Sequence, residues 1–429
     1  MTQTTDGSSF RKTAATFQPG AKTLTQRYFV SPEIFADELQ KIFATNWVFV
    51  GHQSQVAKPG DYFLADVAGE SLIVTKDQRS TIRAFYNVCR HRGARLCEEQ
   101  NGHAAAIQCP YHAWTYALDG RLLGAPHMDE TPGFTKTEYP LKPVNLALWE
   151  GFIFVNLADA STHLRPATTR QAERGGYISL EKWFEPLGAK FSIWNLAALR
   201  SAKRIEYDIR ANWKLIFQNY SECYHCLGVH PELSKISPYD SAENDLTEGP
   251  FLGGFMRIAK GKSLTMSGNA CALGIADSSH AHVHDRAPAH DRGQQGKNDY
   301  DYPPSRRSGA ASEQEHEHGG KNRVFYYSIF PNMLLSLHPD YVMVHRLEPQ
   351  SPERTLIFCD WFFNPEAFKR SDFDPDDAVE FWDMVNKQDW HVCELSQQGI
   401  ASRAFEPGPY SARESIPAAW DKYYLRQIE

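Results

Sequence analysis

Hydrophobic positions along the chain fall into three textures. Between Thr23 and about Val48, Phe35, Leu39 and Phe43 recur every four residues on one side of a predicted helix, and Pro32 followed by acids suits its N-terminus. From about Trp47 to Leu157 the runs turn short and alternating (DYFLADVAG, SLIVTKD, TIRAFYNV, TYALDGRLL, EGFIFVNL) and are broken by Gly, Pro and Asp. That texture predicts six or more strands in a compact all-β domain. Residues 158–200 mix helix and loop. Beyond them RIEYDIR, RVFYYSIF, MLLSLHP, YVMVHRLEP and TLIFCDWFF read as strands, accompanied by at least two strong helices.

The expected class is α+β. Residues 1–22 read as a flexible tail and 23–46 as a helical segment packing with the C-terminal domain. An all-β domain follows over 47–158 and a mixed domain over 159–429. Asp277–Lys321 is rich in Gly, Ser, His, Arg and Asp and nearly devoid of large aliphatics, so it cannot bury enough surface to offset its ordering entropy. It is expected to be a flexible insertion, its histidines from His280 to His318 solvated rather than metal-binding.

Composition narrows the function classes. The 429 residues are 42% hydrophobic and 23% charged, enough for a core and a solvated surface, and the net charge of −7 argues against nucleic acid or an anionic membrane as partner. A span of about 18 apolar residues, as a membrane helix needs, is not found; the nearest run, Leu146 to Ala158, is broken by Glu150 and Asn156. The N-terminal residues lack the apolar centre of a secretory signal, and a cytoplasmic location is expected. Eight cysteines in so long a chain are not a disulfide framework. Cys97, Cys223, Cys226, Cys271, Cys359 and Cys393 are expected to be small, reduced, apolar residues.

The remaining two cysteines carry chemistry. Cys89-Arg-His91-Arg-Gly precedes Cys109-Pro-Tyr-His112 by 17 residues between His91 and Cys109, and each pair sits at the end of a predicted β segment. Two thiolates and two imidazoles could hold zinc or a Rieske [2Fe–2S] cluster, with two cysteines on one iron and two histidines on the other. Zinc fingers usually pair like with like. Here each loop supplies one cysteine and one histidine, as a two-iron centre bridging two loops requires. Trp114 beside His112 is expected to shield the group from water.

A second constellation lies in Asn212–Pro231, which reads as a helix with an aromatic stripe of Trp213, Phe217, Tyr220 and Tyr224. Glu222 and His225, three apart, share another face, and Gly228 and Pro231 loosen the helix end so that His230 can swing toward His225. Two such histidines suit a redox iron, whose third ligand in a facial triad is a carboxylate. On the late helix, about Pro375 to Gln398, Phe381, Val385, Asp389 and Val392 fall on one apolar stripe, whereas Asp383 and Glu394 lie opposite. A buried acid needs a partner, which makes Asp389 the expected ligand and Asp383 a solvated acid. His52, His103, His127, His163, His338, His345 and His391 are expected to be ordinary hydrogen-bonded residues.

With these residues the chain resembles the α-subunit of Rieske non-haem iron oxygenases, from about Thr23 to Gly399. The resemblance implies a β Rieske domain joined to a catalytic domain whose antiparallel sheet wraps a long helix in a helix-grip-like fold. It implies a [2Fe–2S] cluster on Cys89, His91, Cys109 and His112, and mononuclear Fe(II) on His225, His230 and Asp389. The position three before the first iron histidine is usually aspartate and bridges the two metals; here it is Glu222, as in a subgroup resembling the glycine-betaine, choline and carnitine oxygenases.

The implied activity is O2-dependent hydroxylation or N-demethylation of a small methylated amine, with hydroxylation or cis-dihydroxylation of an aromatic ring as the alternative. A homotrimer is implied, in which His112 of one subunit meets Glu222 of the next, and the subgroup favours α-subunits alone. No GxGxxG follows a predicted strand, so NAD(P)H must bind a separate reductase, with or without a ferredoxin.

Overall fold

The computed structural model describes residues 10–158, 178–272, 274 and 322–429. The Asp277–Lys321 insertion and residues 159–177 of the 158–200 crossing therefore lie outside the described residues. An N-terminal β domain carries a seven-stranded sheet in the order Val48–His52, Phe152–Asn156, Pro143–Trp149, Ile82–Tyr86, Glu70–Lys76, Asp61–Val67 and Asn101–His103. Ile107–Gln108, Thr115–Tyr116 and Leu122–Gly124 form a separate three-stranded sheet. Each expected β run of this domain falls on these strands, TYALDGRLL on two of them, Thr115–Tyr116 and Leu122–Gly124. Leu64, Ile73, Phe85, Leu96, Trp114 and Tyr116 form a small buried core between the sheets, separate from the main one.

The C-terminal domain is an eight-stranded antiparallel sheet. Its order is Arg11–Lys12, Glu243–Leu246, Phe251–Arg257, Arg323–Ile329, Met333–Leu337, Val342–Ser351, Arg354–Phe363 and Arg200–Ile209. The long helix Asp376–Ile400 packs against the short helix Trp213–Tyr220 and the strand Arg200–Ile209, and the C-terminal helix Ser415–Ile428 against that same short helix. Ala378, Phe381, Trp382, Val385 and Trp390 are buried toward the main core. The two domains meet at Asn332, whose side chain both donates to and accepts from the backbone of Phe49, at 2.9 Å each.

Three expectations are corrected here. The tail expected over residues 1–22 is held from Arg11 onward: Arg11 and Lys12 pair with Asn244 and Glu243 as an edge strand, and Thr16 bonds Ser415 at 2.9 Å. Residues 1–9 lie outside the described residues. The helix expected over 23–48 is two short helices, Arg27–Val30 and Pro32–Glu38, the second running into a π turn at Leu39–Phe43. Among its fully buried residues, beside Ile42, is a charge. Glu38 is 0% exposed and accepts from Lys214 Nζ (2.5 Å), Trp213 Nε1 (2.8 Å) and Tyr424 Oη (2.5 Å). This satisfied buried pair ties the N-terminal segment to the short helix and the C-terminal helix.

The third correction concerns 212–231. The helix stops at Tyr220 and resumes as two short pieces, Cys226–Val229 and Pro231–Ile236. The Ser221 hydroxyl turns back onto the Phe217 carbonyl (2.6 Å), a bond that competes with helix continuation.

Candidate metal centres and active-site cavity

The first centre is built from two loops of the same design. In one, Cys89 N–H donates to the Ala94 carbonyl (2.8 Å) and Gly93 N–H to the Cys89 carbonyl (3.1 Å); in the other, Cys109 N–H donates to the Trp114 carbonyl (2.8 Å) and Ala113 N–H to the Cys109 carbonyl (3.1 Å). The fifth residue of each, Gly93 at φ 78° and Ala113 at φ 58°, takes the left-handed conformation that reverses the chain. Each loop thus carries a cysteine at its base and a histidine near its tip. Cys89 and Cys109 are buried and unbridged, and the His91 and His112 rings lie 4.7 Å apart.

The surroundings suit a bound cluster. His91 Nδ1 is buried with no hydrogen-bond partner, a lone pair that a metal would satisfy. Burial, with His112 and Arg92 nearby, holds the His91 pKa below its ordinary value and keeps the ring neutral for ligation. Trp114 stacks on His91 at 4.8 Å with planes 5° apart and is itself 2% exposed, so it covers one side. Tyr116, which chain patterning did not single out, sets its hydroxyl 3.3 Å from Cys89 Sγ and accepts from Arg90 N–H at 3.0 Å.

The second centre joins distant segments. Glu222 lies just beyond the helix break, where one carboxylate oxygen accepts from the backbone of Tyr224 and His225 and the other takes His225 Nδ1 at 2.6 Å. Glu222 and His225 therefore meet through a capped turn rather than on a shared helix face. His230 Nδ1 bonds Gln388 Oε1 at 2.7 Å. With both Nδ1 atoms engaged, both Nε2 atoms are left for a metal. They converge on Asp389 Oδ1, at 3.2 Å from His225 and 2.9 Å from His230.

Two imidazole nitrogens and one carboxylate oxygen on one point form the donor set of an iron facial triad. Burial opposes a charge on His225, yet Asp389 and Glu222 on its two sides raise its pKa to about 10. Burial likewise works to raise the Asp389 pKa, and the two histidines bring it below the ordinary value. The spot between these side chains is thus built for positive charge. Cys226 Sγ lies 3.9 Å from His225 Nε2.

Cys223 and Cys226 depart from expectation. They are joined as a disulfide across Tyr224 and His225, with Cα atoms 4.9 Å apart. The C-x-x-C spacing was the available signal. Asp383, expected to be solvated, accepts from Tyr207 Oη at 2.9 Å and pairs with Lys387.

A cavity of about 560 Å³ opens onto the second centre. One wall is a chain of edge-to-face rings: Trp390 to His345 at 5.9 Å, His345 to Tyr220 at 6.1 Å, Tyr220 to Tyr326 at 6.0 Å and Tyr326 to Trp382 at 6.4 Å. Burial drives the His345 pKa down to about 4, against weaker opposition from Asn386 and Asp389, so this ring is neutral. Patterning placed none of these rings in a binding site, because the same residues build ordinary cores.

Comparison with known proteins agrees with this geometry. Residues 46–138 match the family described as Rieske [2Fe-2S] domain, and residues 196–429 match Ring hydroxylating alpha subunit (catalytic domain). The glycine betaine monooxygenase oxygenase subunit of Chromohalobacter salexigens is 31% identical, over 91% of this chain and 82% of that protein. The carnitine monooxygenase oxygenase subunit of Acinetobacter pittii is 36% identical over 49% of this chain and 53% of that one. A solved quaternary ammonium Rieske monooxygenase, described in terms of carnitine oxidation and inter-subunit electron transfer, shares the fold at 24% identity, covering 97% of each chain with a TM-score of 0.70. Among the described residues no helix is long and apolar enough to cross a membrane. The chain is therefore a member of the ring-hydroxylating oxygenase α-subunits, Rieske enzymes that combine a [2Fe–2S] domain with a catalytic domain for mononuclear iron.

Proposed function

We propose that this chain is the terminal oxygenase for a small quaternary ammonium or methylated amine, which it hydroxylates on a methyl group that then leaves as aldehyde. The observation that carries this reading is the aromatic wall of the cavity beside the second centre. Tyr220, Tyr326, Trp382 and Trp390 line the cavity, and the π faces of such rings attract a desolvated ammonium. His345, held neutral, adds no repulsion, and Asp389 and Glu222 add negative charge at the inner end. The betaine and carnitine activities of the relatives support the same reading.

In this reading Cys89, His91, Cys109 and His112 hold the cluster, and His225, His230 and Asp389 hold the iron. When bound, the cluster supplies stored electrons and the iron supplies dioxygen activation. The chain's own residues set the conditions. Glu222 and Gln388 fix the tautomer and orientation of the two histidines, Trp114 keeps water from one side of the cluster loops, and the aromatic wall positions the substrate methyl. Electrons come from a separate NAD(P)H-dependent reductase.

A cyclic homotrimer, with His112 of one subunit facing Glu222 of the next, would bring the two centres of neighbouring chains together. The exposed Tyr111 and Tyr224, 57% and 54% accessible beside His112 and His225, are what such an interface would cover. The test is oxygen uptake with a surrogate reductase across methylated amines and aromatic acids. Formaldehyde release with the amines is expected; a diol or phenol from the aromatics, with no formaldehyde, would overturn the reading.

A further inference from the structure

We propose that Cys223 and Cys226 form a thiol–disulfide switch that decides whether a sulfur donor enters the shell of the mononuclear metal. The inference rests on the assignment of His225, His230 and Asp389 as that metal's ligands.

Three observations meet at this pair. The first is placement: the two cysteines bracket His225 and the first of them directly follows Glu222, so the segment that bears the disulfide also bears the ligand and its orienting carboxylate. The second is reach. One ligand atom each from His225, Cys226 and His230 lie within 4.8 Å of one another, and Cys226 Sγ is 3.9 Å from the nitrogen that points at Asp389. The third is access: both cysteines line the cavity that admits substrate. A structural cystine tying remote strands would show none of these features. A C-x-x-C pair spans a single turn and constrains little chain, and such pairs are the usual form of exchangeable dithiols.

The two states differ in what they offer a metal. As the disulfide, the Cys226 sulfur is uncharged and a weak donor, so the metal has two imidazoles and one carboxylate and keeps positions open for dioxygen. As the dithiol, Cys226 can supply a thiolate on the same side as His225 and His230. That fourth donor completes a closed four-ligand set of the kind zinc favours and takes a position the oxygenase needs.

Reduction consumes two electrons and two protons and breaks the S–S bond to give two thiols, the reductant being a phosphine or a dithiol that is itself oxidised. The reverse step joins the sulfurs, reduces one hydrogen peroxide and releases two waters. An oxygenase that reduces dioxygen without oxidising substrate is itself a source of peroxide, so the switch would sense the enzyme's own uncoupled turnover.

The test uses full-length, cluster-loaded protein whose mononuclear site is filled with cobalt(II), so that cobalt K-edge X-ray absorption is blind to the cluster iron. Protein is compared as oxidised with peroxide and as reduced with a phosphine, the thiol state being fixed by alkylation and peptide mapping. Oxidised protein should show nitrogen and oxygen neighbours with imidazole scattering. Reduced protein should gain one sulfur neighbour at about 2.3 Å, close to the zinc–thiolate distance. Cys223→Ser should show that sulfur without reductant, and Cys226→Ser should lack it in both states.

Imidazole scattering without sulfur in the reduced wild type would overturn the switch and leave the metal assignment standing. Loss of imidazole scattering in every form would overturn the assignment itself, and the switch with it. Peptide mapping that never finds Cys223 linked to Cys226 after peroxide would also overturn the switch.

Discussion

The two centres are assembled in opposite ways. Each loop of the first closes on itself within six residues, through two backbone hydrogen bonds and one left-handed residue. Its donors are set by local conformation, and the two loops need only be brought side by side by the small core that buries both Cys89 and Cys109. The second centre has no such local frame. His225 and His230 sit on a broken helix, whereas Asp389 and Gln388 come from a helix about 160 residues later in the chain. Its geometry depends on the packing of the long helix against the short one, and so on the core beneath both.

The contrast teaches that global stability and metal binding are coupled differently at the two sites. A cluster built from self-closed loops should tolerate loosening of the main core. An iron site spanning distant elements should not.

The sharpest way to break this comparison is Glu38→Ala. It strands Lys214 in a fully buried position and should cost about 3–5 kcal/mol, read by denaturant unfolding. Mononuclear iron affinity should fall while cluster absorbance in the folded protein is kept; equal loss at both centres would sink the distinction.

Asp389→Ala removes the atom on which both Nε2 nitrogens converge. Activity should drop by at least about 100-fold with iron content near the cluster pair alone. Glu222→Gln should leave both metals bound yet lower coupled turnover by about 10–100-fold, and full activity would deny this carboxylate its part. Gln388→Ala should be milder, weakening iron binding by about 10-fold in a competitive chelator titration because His230 loses its Nδ1 partner.

The smallest effect belongs to the first centre. Tyr116→Phe deletes the hydroxyl beside Cys89 Sγ and should lower the cluster potential by roughly tens of millivolts in a redox titration, since hydrogen bonds to sulfur stabilise the reduced state.

What the chain alone determined is whatever short-range chemistry decides. The alternating β runs, the two Cys-x-His and Cys-x-x-His loops and the pairing of His225 with His230 are readable because spacing and residue type govern them within a few positions. Asp389 was legible for a related reason: an acid on an apolar helix stripe has few explanations. The break at Ser221 was not, since a hydroxyl back-bond and a carboxylate-capped turn leave no periodic trace.

Other features were decided only by the tertiary structure. Gln388 and the ring wall from Trp390 to Trp382 become functional through the side chains they meet across elements, and in one dimension they look like surface and core. Glu38 looks like a solvent-facing acid until Lys214 arrives from 176 residues away. Cys223 and Cys226 were read as isolated small residues because bonding between them depends on the turn that brings them together. Local pattern records what a residue is; only packing at long range supplies its partner, and at the second centre the partner makes the chemistry.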